Sequence, residues 1–187
     1  MENFLSLFSK FPTISNEAKQ AFASRLEEFE VEKGFLLEKE GQVSNYLYFV
    51  VQGSARSYYI RENRDITVSF TLDEEFVTAM HSFITRKPSY ENIETMEKSN
   101  VLKISYEDLQ ACFKDFPDLE RSYRMILEQY YIVLEEHQIF NKFKTARERY
   151  LELMQYRPKV IHRASVGQIA SFLDMTIETL SRIRARI

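Results

Sequence analysis

Cysteine, tryptophan, glycine and proline are scarce in this sequence. Its 187 residues hold one cysteine, no tryptophan, four glycines and four prolines. With Cys112 alone, an intrachain disulfide is impossible, and so is a cluster held by several thiolates. Cys112 itself reads as a small apolar residue on a helix. Low-complexity linkers are absent. No stretch of about 18 apolar residues occurs, so no membrane-spanning helix is expected. The first residues, "MENFLSLFSKFP", place an acid at position 2 and lack a basic segment ahead of an apolar core, so no secretory signal is expected. Histidine is scarce too: His81, His137 and His162 fall on separate predicted elements. They form no readable metal triad, which argues against a metal-barrel enzyme. These absences predict a cytoplasmic, non-enzymatic protein with no cofactor and no membrane partner.

What is present is a globular composition. Hydrophobic residues make up 44% and charged residues 28%, enough for one large domain or two small ones. The formal net charge is −3, but it is divided unevenly. Residues 140–187 hold ten of the 25 Lys and Arg and only four of the 28 acids. A basic end on an acidic body points either to a polyanionic partner for that end or to a solvated basic face.

The periodicity changes three times along the chain. "SNEAKQAFASRLEEFE" predicts a helix capped by Ser15, with Ala18, Phe22 and Leu26 at helical spacing. Then "FLLEKEG", "NYLYFVVQG", "SARSYYI" and "DITVSFTL" read as short strands, and Gly34, Gly41 and Gly53 stand at the breaks between them. This pattern predicts an antiparallel roll or barrel. "VLKISYEDL" reads as a last strand entering a helix capped near Ser105. A long helix is expected from about Pro117 to Lys142. Leu119, Tyr123, Ile126, Tyr130, Val133, His137 and Phe140 alternate at spacings of four and three along it, a heptad seam. The seam is expected to pair two copies of the chain in parallel; packing on its own domain is the alternative. The fold class is therefore α+β, in three regions: a roll domain at 1–116, a dimerisation helix at 117–142 and a helical unit at 143–187.

In that last unit Pro158 is expected to break one helix. "HRASVGQIASFLDMTIETLSRIRARI" then reads as two short helices with a tight turn between them. Ser165 caps the first, and Ile169, Phe172 and Leu173 give it an apolar face. Ala170 is small where the second helix must cross. Asp174-Met175 makes the turn, Thr176 caps the second helix, and Leu180 and Ile183 face the core. Glu178, Thr179, Ser181, Arg182 and Arg184 are left on or near the outer face. This is the layout of a helix-turn-helix, whose second helix enters the major groove of DNA. Arginine can pair bidentately with guanine, and glutamate can accept from cytosine N4. Hydroxyls and the remaining arginines reach phosphates.

The order of roll, long helix and helix-turn-helix resembles that of the Crp/Fnr family of bacterial transcription regulators. "EKGFLLEKEGQVSNYLYFVVQGSARSYYI" is similar to the family's β-roll (a double-stranded β-helix), with Tyr48-Phe49 ahead of Val50 and Gly53. "IASFLDMTIETLSRIRARI" resembles its winged helix-turn-helix, including Glu178, Thr179, Ser181 and Arg182. The resemblance implies a homodimer on double-stranded operator DNA, with RNA polymerase as a further partner. It makes Glu178 and Arg182 the main base readers and lets Ile177 meet a thymine methyl. Asp174 stands where the family often has glycine, at a turn that Asp tolerates better than most residues.

The resemblance also bears on an effector. Relatives that bind cyclic AMP use a Gly-Glu pair for the ribose and an Arg-Ser pair for the phosphate. Matched without gaps, these fall at Thr78-Ala79 and Ser89-Tyr90. The ribose carboxylate and the phosphate guanidinium are both missing, so cyclic AMP is not expected to bind. Arg86 and Lys87 stand nearby but would need an altered loop. An unidentified ligand in the roll, with Tyr58, Phe70, Phe76 and Phe83 as lining, and a filled roll without a ligand remain the two alternatives. A regulatory module that binds a small molecule without touching DNA is the competing function.

Overall fold

The computed structural model describes residues 14–187. Helix α1 (Asn16–Ala23) starts at Ser15, whose hydroxyl accepts the Ala18 N–H at 3.2 Å. It ends seven residues short of the expected helix. Leu26 lies beyond it, and Glu27–Val31 is strand β1, antiparallel to Ser99–Ser105 (β8) with Phe29 opposite Val101. Pairing with a distant strand outweighs the local helical spacing there.

The remaining strands are β2 (Leu36–Glu38), β3 (Tyr46–Gln52), β4 (Ala55–Arg61), β5 (Arg64–Thr71), β6 (Glu75–Val77) and β7 (Asn92–Thr95). They form two four-stranded antiparallel sheets, ordered β1-β8-β3-β6 and β2-β7-β4-β5. The sheets enclose Val31, Leu37, Tyr48, Val50, Ile93 and Val101. Gly53 closes the β3–β4 turn at φ +117°, and a Cβ there would stand 2.6 Å from Ser99 Cβ, so the turn requires glycine. Between β6 and β7 lies the short helix α2 (Met80–Thr85), whose C-cap Arg86 has φ +58°. Its six residues are too few to show a helical period in the sequence.

Strand β8 runs directly into α3 (Tyr106–Asp115), where Ser105 accepts the Asp108 N–H at 3.0 Å. The long helix α4 (Pro117–Asn141) follows. A second core forms where α1, α3 and the start of α4 meet β3 and β8, around Phe22, Phe49, Leu102, Leu109 and Leu119. Cys112 is buried in this core, as an apolar side chain would be.

After residues 142–145 come α5 (Ala146–Tyr156), α6 (Pro158–Arg163), α7 (Val166–Phe172) and α8 (Ile177–Arg184). Pro158 does break the helix before it, yet it also opens α6, because proline's missing N–H costs nothing at the first helical position. No strand occurs among the residues after 142, so the described unit carries no wing. Its core joins α5–α8 to the roll: Tyr150, Leu153, Val160, Ile169, Leu173, Leu180 and Ile183 pack with Phe70, Leu72 and Met96.

Candidate nucleic-acid interface

Helix α7 opens with a capping box. Ser165 accepts the Gln168 N–H at 3.2 Å, and the Gln168 side chain accepts the Ser165 N–H at 2.8 Å. The turn reverses at Asp174, with φ +50°, and the Met175 N–H returns to Ala170 O at 3.0 Å. Ala170 is 2% exposed and packs in the core that α7 and α8 share. Thr176 then caps α8 by accepting the Thr179 N–H at 3.2 Å. With Leu180 and Ile183 buried, the opposite face of α8 presents Glu178, Ser181 and Arg182 to solvent. Thr179 is half-buried beside them, and Arg182 reaches its hydroxyl at 3.3 Å. Ile177 is 51% exposed and leans toward Gly167. The hydrogen bond from its own amide and that from Thr176 lower the Glu178 pKa, so its carboxylate is an acceptor at neutral pH. Arg184 differs from Arg182: its Nε donates to the Tyr150 hydroxyl at 3.1 Å, which ties it to α5.

The outer face of α8 is exposed to solvent, while the other side of the hairpin is docked on the roll. Helix α7 lies along β5, the open edge of its sheet, and Ser171 Oγ accepts the Thr67 N–H at 3.0 Å. Phe172 meets Phe70 edge to face at 5.1 Å. An edge strand covered in this way cannot recruit a foreign strand.

The residues expected to line an effector pocket are scattered. Tyr58 and Phe70 lie on the sheet face that carries Arg56 and Glu94, opposite Ala55 and Ile93 of the roll interior. Tyr58 stacks on the Arg56 guanidinium at 4.0 Å, and Phe70 serves the interface with α7. Phe83 is buried in the core shared with α1 and α4, and Phe76 packs against the same core. Tyr90 is exposed and tilts against His81. Ala79 packs in the roll interior, and the Ser89 hydroxyl donates to Glu91 O in its own loop.

Thr78 belongs to a buried polar chain that sequence reasoning missed. Its hydroxyl donates to Tyr46 O at 2.9 Å and lies 2.9 Å from Ser44 Oγ, which is 2.6 Å from Glu38 Oε1. Glu38 is 6% exposed, and burial, opposed by the Ser44 hydrogen bond, pushes its pKa up to about 7. Burial raises Glu91 as well. Arg86, the nearby cation, is already engaged: it donates to Ser44 O at 2.6 Å and to Asn45 Oδ1 at 2.5 Å, and it stacks on Tyr106 at 4.1 Å. Only the burial pattern of β2 could have exposed Glu38, and three residues are too short to show one.

Helix α4 carries the expected seam unevenly. Leu119 is 1% exposed, and Tyr123 and Ile126 pack against the same intrachain core. Tyr130 and Val133 are exposed, along with Tyr131, Ile132 and Leu134. A surface groove of about 500 Å³ follows Arg124, Leu127, Glu128, Tyr131 and Ile132.

Residues 28–116 match the family model of the cyclic nucleotide-binding domain. By sequence, no curated protein matches the chain. Among solved structures, FixK2 from Bradyrhizobium japonicum is similar at 21% identity and TM-score 0.71, over 86% of this chain and 83% of that one. The c-di-GMP-responsive global regulator CLP of Xanthomonas campestris is similar at 18% and 0.65, over 92% and 91%. The catabolite activator protein of Thermus thermophilus is similar at 17% and 0.59, over 94% and 84%. Likenesses at this identity establish a fold. Residues 28–116 are thus a domain of the cyclic nucleotide-binding family, and the chain as a whole has the fold of the Crp/Fnr regulators.

Proposed function

We propose that the chain is a sequence-specific DNA-binding transcription regulator of the Crp/Fnr type, acting as a homodimer. The observation that carries this reading is the free outer face of α8. Glu178 and Arg182 stand one helical turn apart and exposed, on a helix held rigidly by its cap and by Leu180 and Ile183. Arg182 pairs with guanine and Glu178 accepts from cytosine N4. Thr176, Thr179 and Ser181 reach phosphates, and Ile177 offers a methyl contact. Arg184 contributes charge from its place on Tyr150.

A second copy of the chain covers the exposed part of α4. Five consecutive large apolar residues, Tyr130–Leu134, face solvent on a single helix, which is unusual for a surface that stays free. The regulators that share the fold support this occupant. The buried positions Leu119, Tyr123 and Ile126 belong to the chain's own core, so the seam shifts to Leu127, Tyr131 and Leu134, again spaced by four and three.

Cyclic AMP is not the effector. Its phosphate would need a buried cation, and the nearby Arg86 is committed to Ser44, Asn45 and Tyr106. The acids Glu38 and Glu91 lie in the same region.

Replacement of Arg182 by alanine tests the function. Specific binding in a mobility-shift assay is expected to weaken by about 1–3 kcal/mol, with salt-dependent non-specific binding retained. Unchanged affinity for the wild-type site would remove Arg182 from base reading.

A further inference from the structure

The joint between the helical unit and the roll is built more strongly than a passive contact requires. Arg157 grips Glu75 with Nη2, 2.8 and 2.6 Å from the two carboxylate oxygens, and its Nη1 donates to Phe70 O at 3.1 Å. Lys159 Nζ and Arg163 Nη2 converge on Asp73 Oδ2 at 2.8 and 3.0 Å. Arg163 Nη1 also donates to Gly53 O at 2.8 Å and lies 3.3 Å from Glu97. Asp73 accepts the Gly53 N–H with its other oxygen, at 2.9 Å. Burial disfavours the Asp73 anion, but Lys159, the Gly53 amide and Arg163 outweigh it and hold the carboxyl well below its ordinary range. These polar pairs border an apolar interface in which Phe70, Leu72 and Met96 complete the core of α5–α8.

Helix α4 takes no part in that core among the described residues. It stops at Asn141, and α5 begins anew with its own capping box at Thr145 and Glu148. The helical unit is therefore fastened to β5, to the β5–β6 turn, to the β3–β4 turn at Gly53 and to Glu97, and it follows α4 through the short connection 142–145.

We propose that Asp73 and Glu75 are positioning residues for DNA reading: they clamp the helix-turn-helix to the roll of its own chain, so that the two recognition helices of a dimer keep one spacing. This rests on the reading of the chain as a DNA-binding dimer. Roll and reader then move as one body. Any change of spacing arises between the two α4 helices, while the 142–145 connection stays still.

The test uses the full-length protein and a set of duplexes carrying two copies of the half-site that the wild type selects, at varied separations. The wild type is expected to prefer one separation. The Asp73→Asn/Glu75→Gln variant is expected to lose that preference while keeping its affinity for a single half-site, and Arg157→Ala should do the same. An unaltered spacing preference in both variants would overturn the proposal. A second measurement needs no weakened variant. Spin labels at Lys39→Cys and Ala185→Cys, in dimers diluted with unlabelled chain, should give one narrow intrachain distance that DNA does not shift. A broad or DNA-shifted distribution would overturn the proposal too. If the wild type selects no DNA at all, the DNA reading fails by itself, and the spin-label distance still decides whether the clamp holds.

Discussion

Glu38 shows how a residue's chemistry follows from its neighbours. Thr78 spends its one hydroxyl proton on Tyr46 O. With Glu38 ionised, Ser44 must donate to the carboxylate, and the Ser44 and Thr78 oxygens then face each other at 2.9 Å without a proton between them. With Glu38 protonated, the donors run in one direction, from Glu38 to Ser44 to Thr78 to Tyr46, and a proton lies between each pair of oxygens. Geometry and the raised pKa agree. The groups facing Glu38 are Ser44, Tyr48, Arg86 and Glu91. A folded-state pKa of about 7, above the ordinary 4.5, favours the folded protein fully below the ordinary value and is lost as pH rises through 7. The thermal midpoint is therefore expected to fall by several degrees between pH 5 and pH 8, and Glu38→Gln should flatten that fall. Parallel pH profiles for the two proteins would show that Glu38 is ionised throughout. The caps at Ser15, Ser105, Ser165 and Thr176 were legible residue by residue, because a cap is a local hydrogen bond. Glu38, Arg56 and Arg86 were not, since their partners lie 6 to 42 positions away.

At the scale of elements, α4 separates what spacing can tell from what it cannot. Its existence and extent are written in an uninterrupted apolar repeat, and the structure ends it one residue before the expected limit. Its faces are not so written, because tyrosine and isoleucine serve a core and an interface equally well. The start of the helix is spoken for by α1 and α3, which leaves its later turns for a partner. Two variants divide these roles. Glutamate at Tyr131 and Leu134 should split the dimer into folded monomers, seen as a halved mass in sedimentation. Glutamate at Leu119 should unfold the chain, because it buries a charge in a full core. An intact dimer carrying Tyr131→Glu and Leu134→Glu would move the interface elsewhere.

At the scale of the whole molecule, the basic C-terminal region has two uses. Arg157, Lys159 and Arg163 neutralise acids of the roll, Lys144 pairs with Glu152, and Arg149 binds the carbonyls of Lys144, Leu173 and Asp174. The charge asymmetry in the sequence therefore records the docking of two units as well as the exposed arginines of α8. Composition could not separate the two, because the ion pairs to the roll span 66 to 90 positions. The roll, the long helix and the helical hairpin were legible from periodicity and turn residues; their mutual arrangement depends on side chains far apart in sequence.

On the proposed function, two copies of α8 read DNA together. Selection of bound sequences from a randomised duplex pool by the wild-type protein tests it most directly. The expected product is an inverted repeat whose half-sites lie about 10–10.5 base pairs apart, or a multiple of that, centre to centre. Enrichment of no sequence, or of a lone half-site, would contradict it.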